Sequence, residues 1–204
     1  MESNTENFNL DFSTITFSKV NGDNIENIIQ YIINYLDMKD SDTIKISIGC
    51  DSKNKAIYTL YVFSIAFYDE FNKNGTHYVK ASYHSKRIKD DWTRLHNEAI
   101  FLKDLGNYLE NGLVGYYKPN YKYTNHEMKN SNFSRPTKLV EVHLDLNPQP
   151  FTKVTSSKKN IVQHSNKSNS VYGAGVSLLA SDGFKVVTKP YAHTSSSAAD
   201  KHTK

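Results

Sequence analysis

The chain has a single cysteine, no long apolar run and no internal repeat, and each absence narrows what it can be. Cys50 alone cannot close an internal disulfide, so the fold must rest on its hydrophobic core. Its place inside an apolar strand predicts a buried thiol in a reducing compartment. No stretch approaches the roughly 18 to 20 apolar residues of a membrane helix. The polar opening Met1-Glu2-Ser3-Asn4 also lacks the basic and then apolar order of a signal peptide. A cytoplasmic protein of a bacterial or phage-infected cell, with no membrane partner, is expected.

What is present is aromatic and mildly basic. With 204 residues, 38% hydrophobic, 14 Tyr and 10 Phe, there is material for one sizeable core and too little length for two ordinary domains. A single domain over residues 1–204 is therefore expected, with a polar lead at 1–16 and surface loops at 115–136 and 147–170. The net charge of +4 is compatible with a polyanionic partner such as nucleic acid. Its candidate contributors are Lys80, Lys86, Arg87 and Lys89, then Lys153, Lys158, Lys159 and Lys167, then Lys201 and Lys204. Nothing in the sequence decides the oligomeric state.

Periodicity orders the chain into elements. Asp23 with Glu26 three residues on reads as a capped helix start, and Ile25, Ile28, Ile29, Ile32, Ile33 and Leu36 then recur at helical spacing. A strand runs from Ile44 to Asp51, a hairpin follows through Ile57–Phe67, and a third strand occupies His77–His84. Asp91–Glu110 reads as a helix stopped by Asn111-Gly112, and Lys138–Asp145 as a fourth strand. A helix at Val171–Ala180, a strand from Phe184 to Val187 and a short helical piece at Ala198–Lys201 complete a mixed α/β sheet with flanking helices.

The chemistry sits in the acids. Two β-branched-rich strands each close on an aspartate, Asp51 and Asp145, so both carboxylates are carried at a sheet end. Glu98, one helical turn after Arg94, can face that end, and Asp200 adds a fourth acid from the terminal segment. Four acids from a strand, a helix, a strand and a tail suit hard divalent cations, since without metal they repel one another. His143 shares a strand face with Asp145, which would let it orient a ligand or bind a transition metal, although a hydrogen-bonded structural histidine is the commoner outcome. Cys50 faces away from Asp51 at period two and is expected in the core. Trp92 and the tyrosines Tyr116, Tyr117, Tyr121 and Tyr123 could stack bases or simply pack.

Ile48-Gly49-Cys50-Asp51-Ser52, His143-Leu144-Asp145, Gly183-Phe184 before Lys189-Pro190, and the ending Ser196-Ser197-Ala198-Ala199-Asp200-Lys201-His202-Thr203-Lys204 together resemble the YkuK family of ribonuclease-H-like proteins. The resemblance runs from about Phe17 to the last residue. It implies a five-stranded sheet of order 3-2-1-4-5 with strand 2 antiparallel. It also implies an acidic site of Asp51, Glu98 and Asp145, with Asp200 in the place of a variable fourth acid. Two departures stand out: a longer stretch between Asp145 and Lys167, and Asn147-Pro148 where many relatives have a Gly-rich turn. The wider fold implies a nuclease that uses two Mg²⁺ or Mn²⁺ ions on a nucleic-acid substrate. Ser52, His143, Lys189 and Lys201 are auxiliary candidates. The alternative is a ribonuclease-H-like module that binds nucleic acid or protein without cutting. Half of an actin-type ATPase also opens on an apolar strand ending in Gly-x-Asp, but the length and the missing second Gly-rich phosphate loop argue against it.

Overall fold

A computed structural model describes residues 10–39, 44–69, 77–117, 138–146, 148, 151–155, 161–165, 167–189, 191–192 and 194–203. In chain order its elements are a 3-10 turn (Phe12–Thr14), β1 (Phe17–Lys19), β2 (Asn24–Ile25), α1 (Ile28–Lys39), β3 (Ile44–Asn54), β4 (Tyr58–Asp69) and β5 (His77–Lys86). Then follow α2 (Asp91–Tyr117), β6 (Glu141–Leu144), β7 (Phe151–Thr155), β8 (Ile161–Ser165), α3 (Lys167–Ser181), β9 (Lys185–Thr188) and α4 (Thr194–Thr203).

Seven strands form one sheet in the order β2-β1-β5-β4-β3-β6-β9. Its inner five, β5-β4-β3-β6-β9, have the expected 3-2-1-4-5 order, with β4 antiparallel to both neighbours and β6 and β9 parallel to β3. The short β1–β2 ribbon extends the β5 edge and raises the strand count from five to seven.

Period-two alternation sorts the two faces. Ile46, Ile48 and Cys50 of β3 and Tyr61, Phe63, Ile65 and Phe67 of β4 lie in the main core, along with Phe101, Leu102, Leu105 and Leu109 of α2. Cys50 is buried there, as its parity predicts. Phe101 stands edge-on to Tyr61 at 4.9 Å between ring centroids, a favoured aromatic geometry. The opposite face is more polar. There α4 lies over β3 and β4, with Ala199 packed on Leu60 and Val62 in a small separate cluster.

Several boundaries differ from those read along the chain. Helix α1 begins at Ile28, not Ile25, because Ile25 pairs with the buried Phe17; Asn27 supplies the cap, its Oδ1 accepting from the Gln30 N–H at 3.0 Å. Helix α2 runs past Asn111-Gly112 to Tyr117. Gly112 is not a stop but a close approach, since a Cβ there would sit 2.5 Å from Ile29 Cδ1 of α1. The stretch 147–170, read as a loop, carries the antiparallel β7–β8 pair and the first turn of α3, consistent with its Thr, Val and Ile content. Gly183, at φ 87°, ends α3, in a position that disfavours any side chain. The final helix is ten residues long, not four. In the lead, Phe12 is buried, so this part is not merely a polar extension, while residues 1–9 lie outside the described residues.

Candidate active site

Asp90 starts the construction. Its carboxylate accepts from the Thr93 N–H at 2.7 Å and from the Thr93 hydroxyl at 2.6 Å, capping α2. Arg94 and Glu98 then follow at i, i+4 spacing on the side of α2 that meets the end of β3. Ser52, on the core face of β3, donates from Oγ to Glu98 Oε1 at 2.5 Å. Arg94 Nη1 donates to the Ser52 carbonyl at 2.7 Å and to Ser52 Oγ at 2.6 Å, and lies 3.7 Å from Glu98 Oε1. A serine and an arginine thus tether one carboxyl group between strand and helix.

Glu98 is only 2% exposed. Burial pushes its carboxyl up to about 8, the Asp51 charge adds to the rise, the Ser52 hydrogen bond and Arg94 oppose it, and Asp145 raises it further. Three acids from β3, α2 and the end of β6 therefore share one electrostatic neighbourhood. The sheet explains why. In the parallel β3–β6 ladder Gly49 faces His143, so two residues further along both strands Asp145 comes level with Asp51. Leu144 likewise pairs with Thr188 of β9, which brings Lys189 level with Asp145.

Each acid has a partner within the protein. Thr203, buried at the end of α4, donates from Oγ1 to Asp51 Oδ2 at 2.6 Å, and Lys55 Nζ donates to the Thr203 carbonyl at 3.0 Å. Lys189 Nζ lies 2.9 Å from Asp145 Oδ1. Among the described residues no group of three or more His, Cys, Asp or Glu side chains is arranged to hold a metal ion. The donor chemistry nevertheless suits a hard cation: a buried carboxyl raised by two neighbouring carboxylates is what a divalent ion would relieve.

The other candidates fall as follows. Asp200 is in α4, but its side chain lies outside the described residues; Lys201 beside it is exposed. His143 is buried and turned toward Glu141, at 3.7 Å from Nε2 to Oε2, while its Nδ1 has no hydrogen-bond partner among the described residues. Trp92 donates from its indole N–H to the Ser170 carbonyl at 3.3 Å and lies against His96. Tyr116 donates to the Asp37 carboxylate. The side chain of Tyr117, and Tyr121 and Tyr123 altogether, lie outside the described residues. Lys80 is hydrogen-bonded to His202 Nδ1 at 3.0 Å, and Lys167 pairs with Asp91. Sequence reasoning missed the tethering roles of Arg94 and Thr203. The i, i+4 spacing to Glu98 was a legible hint for the first; the second left none.

A mixed sheet in 3-2-1-4-5 order, with acids from its central strand, the helix beneath and the adjoining strand, defines a ribonuclease-H-like α/β protein. A family model described as Ribonuclease H-like matches residues 27–204, and the chain belongs to that family, the YkuK family of ribonuclease-H-like proteins. No curated protein and no solved structure matches the chain. Family membership supports a nuclease or nucleic-acid-binding fold. Among the described residues no helix is long and apolar enough to cross a membrane.

Proposed function

We propose that the chain is a metal-dependent nuclease that hydrolyses phosphodiester bonds in RNA, DNA or an RNA/DNA hybrid. The observation that carries this reading is Glu98, buried between β3 and α2, its carboxyl raised first by that burial, then by the charge of Asp51 and least by that of Asp145. Asp51, Glu98, Asp145 and Asp200 would hold Mg²⁺ or Mn²⁺; a bound pair of such ions supplies an activated water and charge neutralisation at the leaving oxygen. The protein's own side chains do the positioning. Ser52 and Arg94 fix the rotamer of Glu98, and the Thr203 hydroxyl orients Asp51. Lys189, half-exposed beside Asp145, is placed to meet a phosphate oxygen once that carboxylate is otherwise engaged.

The test is cleavage of labelled RNA, DNA and hybrid in Mg²⁺ or Mn²⁺, with EDTA as control. Asp51→Asn and Asp145→Asn should abolish it while leaving the fold intact. One observation favours a second reading, a non-catalytic module: Asp51, Glu98 and Asp145 are each already engaged by Thr203, by Ser52 with Arg94, and by Lys189. Binding without cleavage in either metal would establish that reading instead.

A further inference from the structure

Beside the acids stands a ledge of opposite charge. The β3–β4 turn and the β5–α2 connection are laced into one surface: Asn54 Nδ2 donates to the Ile88 carbonyl at 2.9 Å, Arg87 Nη1 to the Ala56 carbonyl at 2.9 Å, and the Ile88 N–H to Thr59 Oγ1 at 2.9 Å. Thr59 in turn donates to Asn54 Oδ1 at 2.6 Å, so the two loops are tied to one another. The two segments, 53–59 and 86–89, carry Lys53, Lys55, Lys86, Arg87 and Lys89 and not one acid. The acids that follow the second segment are already used, Asp90 in its cap and Asp91 against Arg94 and Lys167. At the tip of the turn Ile57 is 83% exposed, an isolated apolar side chain among cations.

The ledge is continuous with the acids. Lys53 lies two residues beyond Asp51 on the same face of β3, and Lys55 reaches Asp51 through the carbonyl and hydroxyl of Thr203. A carboxylate cluster repels a polyanion, so a nucleic acid brought to it needs cations fixed alongside. We propose that this ledge is the phosphate-backbone docking surface for a nucleic-acid strand, with Ile57 against a sugar or base. The inference rests on the nuclease reading for its purpose, but not for its test.

That test is equilibrium binding of a labelled oligonucleotide to the full chain in EDTA, over a series of salt concentrations. Two lost phosphate contacts lower the slope of log K against log salt by about 1.4 for a single strand or about 1.8 for a duplex, which is roughly a 20-fold or larger loss near 0.1 M salt. K53Q/K89Q is expected to show that loss and that change of slope. K19Q/K39Q, on β1 and at the end of α1, removes the same charge elsewhere and should alter neither. I57S should weaken binding severalfold at unchanged slope, because it removes contact and no charge. No binding by the wild-type chain, an unchanged slope in K53Q/K89Q, or an equal effect of K19Q/K39Q would overturn the ledge. Binding through the ledge without cleavage in Mg²⁺ or Mn²⁺ would leave it standing and remove the nuclease reading; cleavage with an indifferent ledge would do the reverse.

Discussion

Glu98→Gln should make the metal-free protein more stable at high pH and leave it unchanged at low pH. The buried carboxyl, raised to about 8 by burial and by Asp51 from an ordinary 4.5, binds its proton more tightly folded than unfolded. Its favourable contribution is therefore complete below about 4.5 and is lost as pH rises through about 8. At about 1.4 kcal/mol for each pH unit of that interval the upper limit is about 5 kcal/mol, and relaxation of the neighbouring side chains around the ionised carboxylate brings the expected effect to about 3 kcal/mol. Gln keeps the shape and an acceptor for the Ser52 hydroxyl while removing the charge. For a chain of this size about 3 kcal/mol corresponds to a rise of roughly 6 to 12 °C in melting temperature. Thermal melts of wild type and variant in EDTA at pH 5 and pH 8.5 measure it. Added Mg²⁺ should narrow the gap by stabilising the wild-type chain more than the variant, which keeps only three of the four acids. Equal melting temperatures at pH 8.5, or a destabilised variant there, would show that Glu98 is ionised and satisfied by Arg94, and the account of a strained acid cluster would be wrong.

Three further outcomes follow from the same geometry. Burial alone would raise the Glu141 carboxyl, but His143, Lys185 at 2.8 Å and Lys45 at 3.6 Å hold it down to about 2. Glu141→Gln should therefore cost about 2 kcal/mol near neutral pH, with the difference closing as pH falls from about 4.5 toward 2, read by circular-dichroism melts across that range. Arg94→Gln removes the donor to the Ser52 carbonyl and hydroxyl and a cation beside Glu98; a loss of about 2 kcal/mol is expected in urea titrations at pH 8.5, and combining it with Glu98→Gln should remove only the charge-dependent part, leaving about 1 kcal/mol for the lost Ser52 hydrogen bonds. Gly106→Ala places a Cβ 2.5 Å from the Phe184 ring, whose face carries Lys138 at 3.8 Å, so overpacking of about 1 to 3 kcal/mol should exceed the gain in helix propensity and lower the melting temperature.

Local patterning along the chain specifies whatever depends on near neighbours in sequence. Alternation of Ile46, Ile48 and Cys50 with Ser47, Gly49 and Asp51 marks a strand with one core face, because side-chain direction in a strand has period two. The same rule put Cys50 in the core and Asp51 on the other side, and the spacing of apolar residues in α2 showed a helix carrying Glu98. The motif order then pointed to the family and to the inner strand order.

Other features depend on packing between distant segments. Ile25 left the first helix because Phe17 offered it a strand partner, and Gly112 stayed inside α2 because Ile29 packs where a side chain would be. Ser52 meets Glu98 across 46 residues of chain, and Thr203 meets Asp51 across 152. Neither bond has a local signal, since a serine or threonine hydroxyl carries no periodicity and finds its acceptor only when the packing of α2 and α4 on the sheet delivers one. The raised pKa of Glu98 belongs to the same class: its causes are burial and charges on other elements, and these exist only once the sheet and its helices have closed around it.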